Sequence, residues 1–391
     1  VTSRLNPNLN AFASSASLLK LWQSPSLALA YSEREWSQVL RALRHTKLTA
    51  RYAWWLAQHL HTSEFPAFVQ RHFANATVIA TRHAKQVHFE LTECQRIFAQ
   101  SQQPWLVLKG AAYTASQGSV GEGRIYNDID IWVPSTAIHQ TERMLSIHGW
   151  LAQDVDDYDD RYYREWAHEI PPLQHGYRGT VMDLHHNIVP LVSGRAPDMQ
   201  ILLAERQLTA AGIPVLMPAA QAMHSAIHLF FNEECEYITR DLLDLILLLQ
   251  DFTEHDWAAF IRLARALAFP FEARLALYFV EHYGQISLPD GAAALLGADE
   301  PHLQHIARLY HALLEGSHPV SEPLQVRWAR LAIALRGHYL KMPPRILAYH
   351  VAMKSYRNIV KLCFGEHVFT KQDENTLRVQ GPQAPKPRME M

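Results

Sequence analysis

Cysteine is scarce in this chain. Cys94, Cys235 and Cys363 are odd in number and far apart among 391 residues, which excludes a disulfide framework and a thiolate metal site. That usage fits a reducing compartment, and a cytoplasmic protein is expected. Net charge is also lacking. The 36 Lys plus Arg against 38 Asp plus Glu leave −2, which argues against a uniformly basic nucleic-acid binder. Long apolar runs are missing too. The longest aliphatic stretch, Leu242 to Leu249, is broken by Asp244 and is too short to span a bilayer. The segment Val1 to Pro7 lacks the apolar run of a signal peptide, so a soluble protein is expected. What is present is an ordinary 48% of hydrophobic residues, enough for a sizeable core. The length suggests two or three domains at about 150 residues each.

The most informative feature is Asp128-Ile129-Asp130, within Tyr126-Asn127-Asp128-Ile129-Asp130-Ile131-Trp132-Val133. On a strand, side chains alternate, so both acids share one face. Two buried carboxylates side by side are costly unless a cation neutralises them. The pair therefore points to a divalent metal, most simply Mg²⁺. Upstream, Trp105-Leu106-Val107-Leu108-Lys109-Gly110-Ala111-Ala112 reads as a short strand, a Lys-Gly corner and a helix start. Glycine admits close approach of a ligand, and a helix start favours phosphate. Lys109 would add a positive charge there, or else extend as a solvated amine. Downstream, Thr180-Val181-Met182-Asp183-Leu184-His185-His186 is a further strand, with Asp183 and His185 on one face.

This ordered set resembles the nucleotidyltransferase superfamily of DNA polymerase beta type. More narrowly, it resembles the bacterial family of uncharacterised nucleotidyltransferases. Leu108-Lys109-Gly110, then Arg124 with Asp128 and Asp130, then Asp183-Leu184-His185 carry the likeness. Ile213-Pro214-Val215-Leu216, His224, His228, Arg240 and Asp244 are similar to the family's following helical segment. The resemblance implies a catalytic and metal set of Asp128, Asp130 and Asp183. It also implies a phosphate-binding set of Lys109, Gly110 and Arg124, with His185, Arg240 and Asp244 in support. Two Mg²⁺ ions and an NTP, ATP being the generic choice, would be the cofactor and substrate. The chain departs from the superfamily at Ala111, where a serine usually follows the glycine. Gly118-Ser119 lies after the helix rather than before it and is read as coincidental.

Each residue also has a plainer reading. Arg124 would brace its loop against the acids, and His185 would be a hydrogen-bonded interior histidine. His224 and His228, spaced i, i+4, read as packing rather than a zinc pair, because no Glu follows His224. Arg240 and Asp244 read as an i, i+4 ion pair, or as a tie between a helical domain and the site.

The expected fold is α+β: a small mixed-sheet core over residues 103–215, between an N-terminal helical region (1–102) and a C-terminal helical domain (216–375). A disordered tail (376–391) follows. A long helix is expected over about 75–100, another near 135–148, and others over 219–232 and 237–250. Strands are expected near 161–166, 172–175 and 179–185. Asp154 to Asp160, five acids in seven residues, reads as a solvated turn. Finally, no acid lies between Glu322 and Glu366, where eight Lys or Arg alternate with Trp328, Tyr339 and Tyr349. Such a run is usually a charged face answering acids elsewhere. Its sharper reading is a surface for RNA, a phosphate-rich ligand or an anionic membrane.

Three functions compete on these residues: nucleotidyl transfer to an unknown acceptor, nucleotide binding without turnover, and association with RNA or membrane through 327–361.

Overall fold

The computed structural model describes residues 14–101, 103–153, 157–297, 300–316 and 322–364. The tail expected to be disordered, and Asp154 to Asp156 of the acidic run, lie outside them. The architecture is α+β. Among the described residues, one mixed sheet of seven strands lies between helices drawn from both ends of the chain.

The strands are β1 (Leu106–Leu108), β2 (Asp128–Trp132), β3 (Trp150–Ala152), β4 (Leu173–His175), β5 (Val181–His185), β6 (Arg206–Leu208) and β7 (Pro214–Leu216). Their spatial order is β3-β4-β5-β2-β1-β7-β6. β2 is antiparallel to β1 and parallel to β5, with Asp130 opposite both Leu108 and Asp183. The Ile213–Leu216 segment, at the expected end of the core, supplies β7 (Pro214–Leu216), parallel to β1.

Alternation along these strands builds two different cores. Val107, Ile129, Ile131, Met182, Leu184 and Val215 pack in one cluster with Leu91, Cys94 and Phe98 of the helix Ala67–Phe98. Leu106, Leu108, Trp132 and Leu216 join the other, larger cluster. That cluster unites helices from both ends of the chain: Leu18, Trp22 and Trp36 with Phe230, Leu243 and Tyr310. The helix Pro218–Phe231 is its centre. Pro218 sits at the first turn, where its missing N–H costs nothing, and its side chains are buried almost all round.

One expected strand is a helix. Residues 161–166 belong largely to the helix Asp157–Glu165. Tyr162, Tyr163 and Trp166 give the segment a strand-like composition. Two i, i+4 ion pairs, Arg161 with Glu165 (2.9 Å) and Arg164 with Asp160 (3.0 Å), favour the helix.

Candidate functional site

The parallel register of β2 with β5 aligns Asp130 with Asp183 across the strands. Asp128 lies two residues from Asp130 on the same face. All three carboxylates thus project from the face that Leu108 and Trp132 share, at the floor of a cavity of about 410 Å³. The opposite wall comes from the helices Pro218–Phe231 and Ile238–Gln250, through Ser225, His228, Arg240, Asp241 and Asp244. Tyr113, Tyr126, Asn232, Tyr237 and Lys341 are also among its lining residues.

The three acids are not equivalent. Asp130 is 5% exposed. Its Oδ1 accepts from Lys109 Nζ at 2.7 Å and from His185 Nε2 at 2.9 Å. Burial opposes its charge, but Lys109 and His185 outweigh burial and hold the carboxyl far below the usual carboxylate range. Asp128 is pushed up by burial and by the charge of Asp130. Asp183 is pushed up to about 7 by burial, then by Asp130 and Glu169. Its Oδ1 is buried with no hydrogen-bond partner. A buried carboxylate oxygen without a donor, beside two more carboxylates, is what a hard divalent cation would satisfy. The all-oxygen donor set of Asp128, Asp130 and Asp183 fits Mg²⁺.

Lys109 is not a solvated amine. It stands at the β1 corner with left-handed backbone (φ 46°) and its ammonium against Asp130. Burial opposes the charge, but Asp130 and Glu169 outweigh it and raise the pKa. Gly110 makes room for Arg124: a Cβ there would stand 2.7 Å from Arg124 Nε. Arg124 is a brace. Its guanidinium pairs with Asp244, whose other oxygen forms an ion pair with Arg51 Nη1 at 3.1 Å. All three side chains are at most 9% exposed. The expected Arg240–Asp244 helix pair is therefore absent. Arg240 pairs with Asp241 at 2.8 Å instead, and Asp244 ties its helix to the loop before β2. Ser119 bonds Asp251 Oδ2 at 3.1 Å, away from the carboxylates.

His185 is an interior histidine, 1% exposed, that touches the site through Asp130. Burial opposes its charge, but Glu169 and the Asp130 bond outweigh that and raise its pKa. His224 is buried and, like His228, kept neutral chiefly by burial. Two contributors escaped the sequence reading. Glu169, whose Oε2 lies 3.3 Å from His185 Nδ1, sits in a loop with no motif around it. Arg51 lies in the N-terminal helical region, for which no site role was expected; an arginine between Ala50 and Tyr52-Ala53-Trp54 was the available signal.

A family model described as uncharacterised nucleotidyltransferase matches residues 32–285, more than half of the chain. The chain belongs to that family. The match spans the sheet, all three aspartates and the helix that carries Asp244. A search of curated proteins finds no match. Nucleotidyl transfer, with a nucleotide as substrate, is thus the activity this membership suggests.

The basic segment forms the helices Leu324–Lys341 and Pro344–Phe364. Several of its charges answer acids elsewhere: Arg330 with Glu322, Lys341 with Glu233 (2.6 Å) and Lys354 with Asp159 (2.7 Å). Leu324, Trp328, Leu331, Leu335 and Tyr339 are exposed along the first helix. Among the described residues, no helix is long and apolar enough to cross a membrane.

Proposed function

We propose that the protein transfers a nucleoside monophosphate from an NTP to a hydroxyl or phosphate of an acceptor, with Asp128, Asp130 and Asp183 holding two Mg²⁺ ions. The observation that carries this reading is the alignment of the three carboxylates on one face of β2 and β5, beneath a polar cavity. Such ions supply charge neutralisation at the phosphates and a lowered pKa for an attacking hydroxyl.

The chain's own residues do the rest. Lys109 and His185 hold Asp130 ionised and fix its direction. Asp183, the carboxylate pushed furthest towards neutral pH, is placed to take the acceptor's proton. Lys109 and Arg240 give the cavity wall positive charge for a triphosphate. With Ala111 in place of serine, no hydroxyl is available at the corner, so these cations carry more of the positioning. Arg124, Arg51 and Asp244 act at one remove, by locking the β2 loop to the helix above the site. ATP is the expected donor.

The test is incubation with Mg²⁺ and labelled NTPs, scored by pyrophosphate release and label transfer. Wild type should react, and Asp128→Asn should not. Equal signals from the two proteins would remove the catalytic assignment. Saturable NTP binding with no product would leave a nucleotide-binding module.

A further inference from the structure

We propose a second metal site beside the aspartates, formed by His185 Nδ1, His168 Nε2 and Glu169 Oε2, for a first-row transition-metal ion such as Zn²⁺. One donor atom from each of these three residues lies within 4.8 Å of the other two. Glu169 Oε2 stands 3.3 Å from His185 Nδ1 and 4.0 Å from His168 Nε2. Metal–ligand bonds of 2.0–2.1 Å in a tetrahedron place neighbouring ligands about 3.3 Å apart. Of the three edges, one already has that length, a second needs a shift of under about an ångström, and the third, between the two histidines, must close to the same length.

The hydrogen bonding of His185 supports the assignment. A carboxylate only accepts, so His185 Nε2 must carry the proton it gives to Asp130. Nδ1 is then the position that faces away from Asp130, on a ring 1% exposed. It is buried and faces Glu169 Oε2 at 3.3 Å. Either a proton or a metal ion between Nδ1 and the Glu169 oxygen would satisfy both atoms, and the third donor, His168, standing beside them is what points to the ion. The same arrangement is the usual outer support of a metal-bound histidine, whose second nitrogen donates to a carboxylate. Here Asp130 is that carboxylate.

The local fold presents the ligands together. An isolated antiparallel bridge pairs Glu169 with His185, and His168 comes with Glu169 on the same segment. The His168 and His185 rings lie 5.3 Å apart. Two imidazoles and one carboxylate suit Zn²⁺, whereas the all-oxygen aspartate set suits Mg²⁺. His168 and Glu169 both line the cavity, so positions the protein does not fill would open onto it. The site does not depend on nucleotidyl transfer, and it would take its ion whether or not an NTP is turned over.

The experiment is Co²⁺ titration of chelator-stripped full-length protein in excess Mg²⁺, added to compete for the aspartates. Visible absorption and calorimetry follow binding. One equivalent should bind with tetrahedral d–d bands, and Zn²⁺ should displace it. His168→Ala and the isosteric Glu169→Gln should each weaken binding by more than the roughly 10–100-fold that loss of an outer-shell partner costs. Asp183→Asn should leave the bands in place. Thermal unfolding in chelator checks that each variant is folded. Two results would overturn the proposal. One is an absence of saturable Co²⁺ binding, which would make His185 an imidazolium bridging Asp130 and Glu169. The other is binding lost in Asp183→Asn but kept in His168→Ala, which would place the ion on the aspartates.

Discussion

Asp183→Asn should stabilise the metal-free protein at neutral pH, although it removes a residue assigned to the active site. Asp183 ordinarily titrates near 3.8 and is raised to about 7 by burial, Asp130 and Glu169. The folded state therefore holds a proton that the unfolded state releases between these values. Stability falls as pH rises from about 4 to about 7 and is flat above. At about 1.36 kcal/mol per pKa unit, the ceiling of the penalty is on the order of 4 kcal/mol. Because Asp128 and Asp130 share the repulsion, about 2 kcal/mol for Asp183 alone is the working figure. For a chain of this size that is roughly 2–3 °C in Tm. Thermal unfolding in EDTA across pH 4.5–8.5 would measure it. The Tm of Asp183→Asn should exceed wild type near pH 8 and converge with it near pH 4.5. Millimolar Mg²⁺ should raise the wild-type Tm at pH 8 and move the variant far less. A variant destabilised equally at both pH values would refute the reasoning, because Asp183 would then be a satisfied structural group.

Three further outcomes follow from the same geometry. Asp244→Ala leaves Arg51 and Arg124 buried without their carboxylate and should cost about 3–5 kcal/mol in urea unfolding. Gly123→Ala should destabilise by at least about 3 kcal/mol, or prevent soluble expression. Gly123 has φ 64°, and a Cβ would lie 2.5 Å from the Arg51 backbone, which cannot yield as a flexible side chain would. Ser119→Ala should leave nucleotidyl transfer unchanged and shift stability by less than about 0.5 kcal/mol, since its hydroxyl reaches only the exposed Asp251 contact.

The parts of the site legible in the sequence are those fixed by local periodicity. Asp128, Asp130, Asp183 and His185 share a face because strands alternate, and β2 and β5 are long enough to show it. The three-residue β3 and β6 carry no such signal, and neither was expected as a strand. The Arg161–Trp166 segment misled through its aromatic content, while the ion pairs that favour its helix are four residues apart. Arg240 and Asp244 misled in the opposite sense. Their spacing suited a helix pair, but Asp244 finds Arg51 and Arg124 from distant parts of the chain, and no local pattern encodes such a partner. Glu169 and His168 were unreadable for the same reason: only the bridge to His185 gives them a role.

The most direct measurement is a crystal structure of the protein with Mn²⁺ and a non-hydrolysable NTP, phased on the manganese signal. Two manganese peaks should lie among Asp128, Asp130 and Asp183, with the triphosphate reaching them from the Lys109 and Arg240 side. Nucleotide bound elsewhere, with no manganese at these carboxylates, would contradict the account.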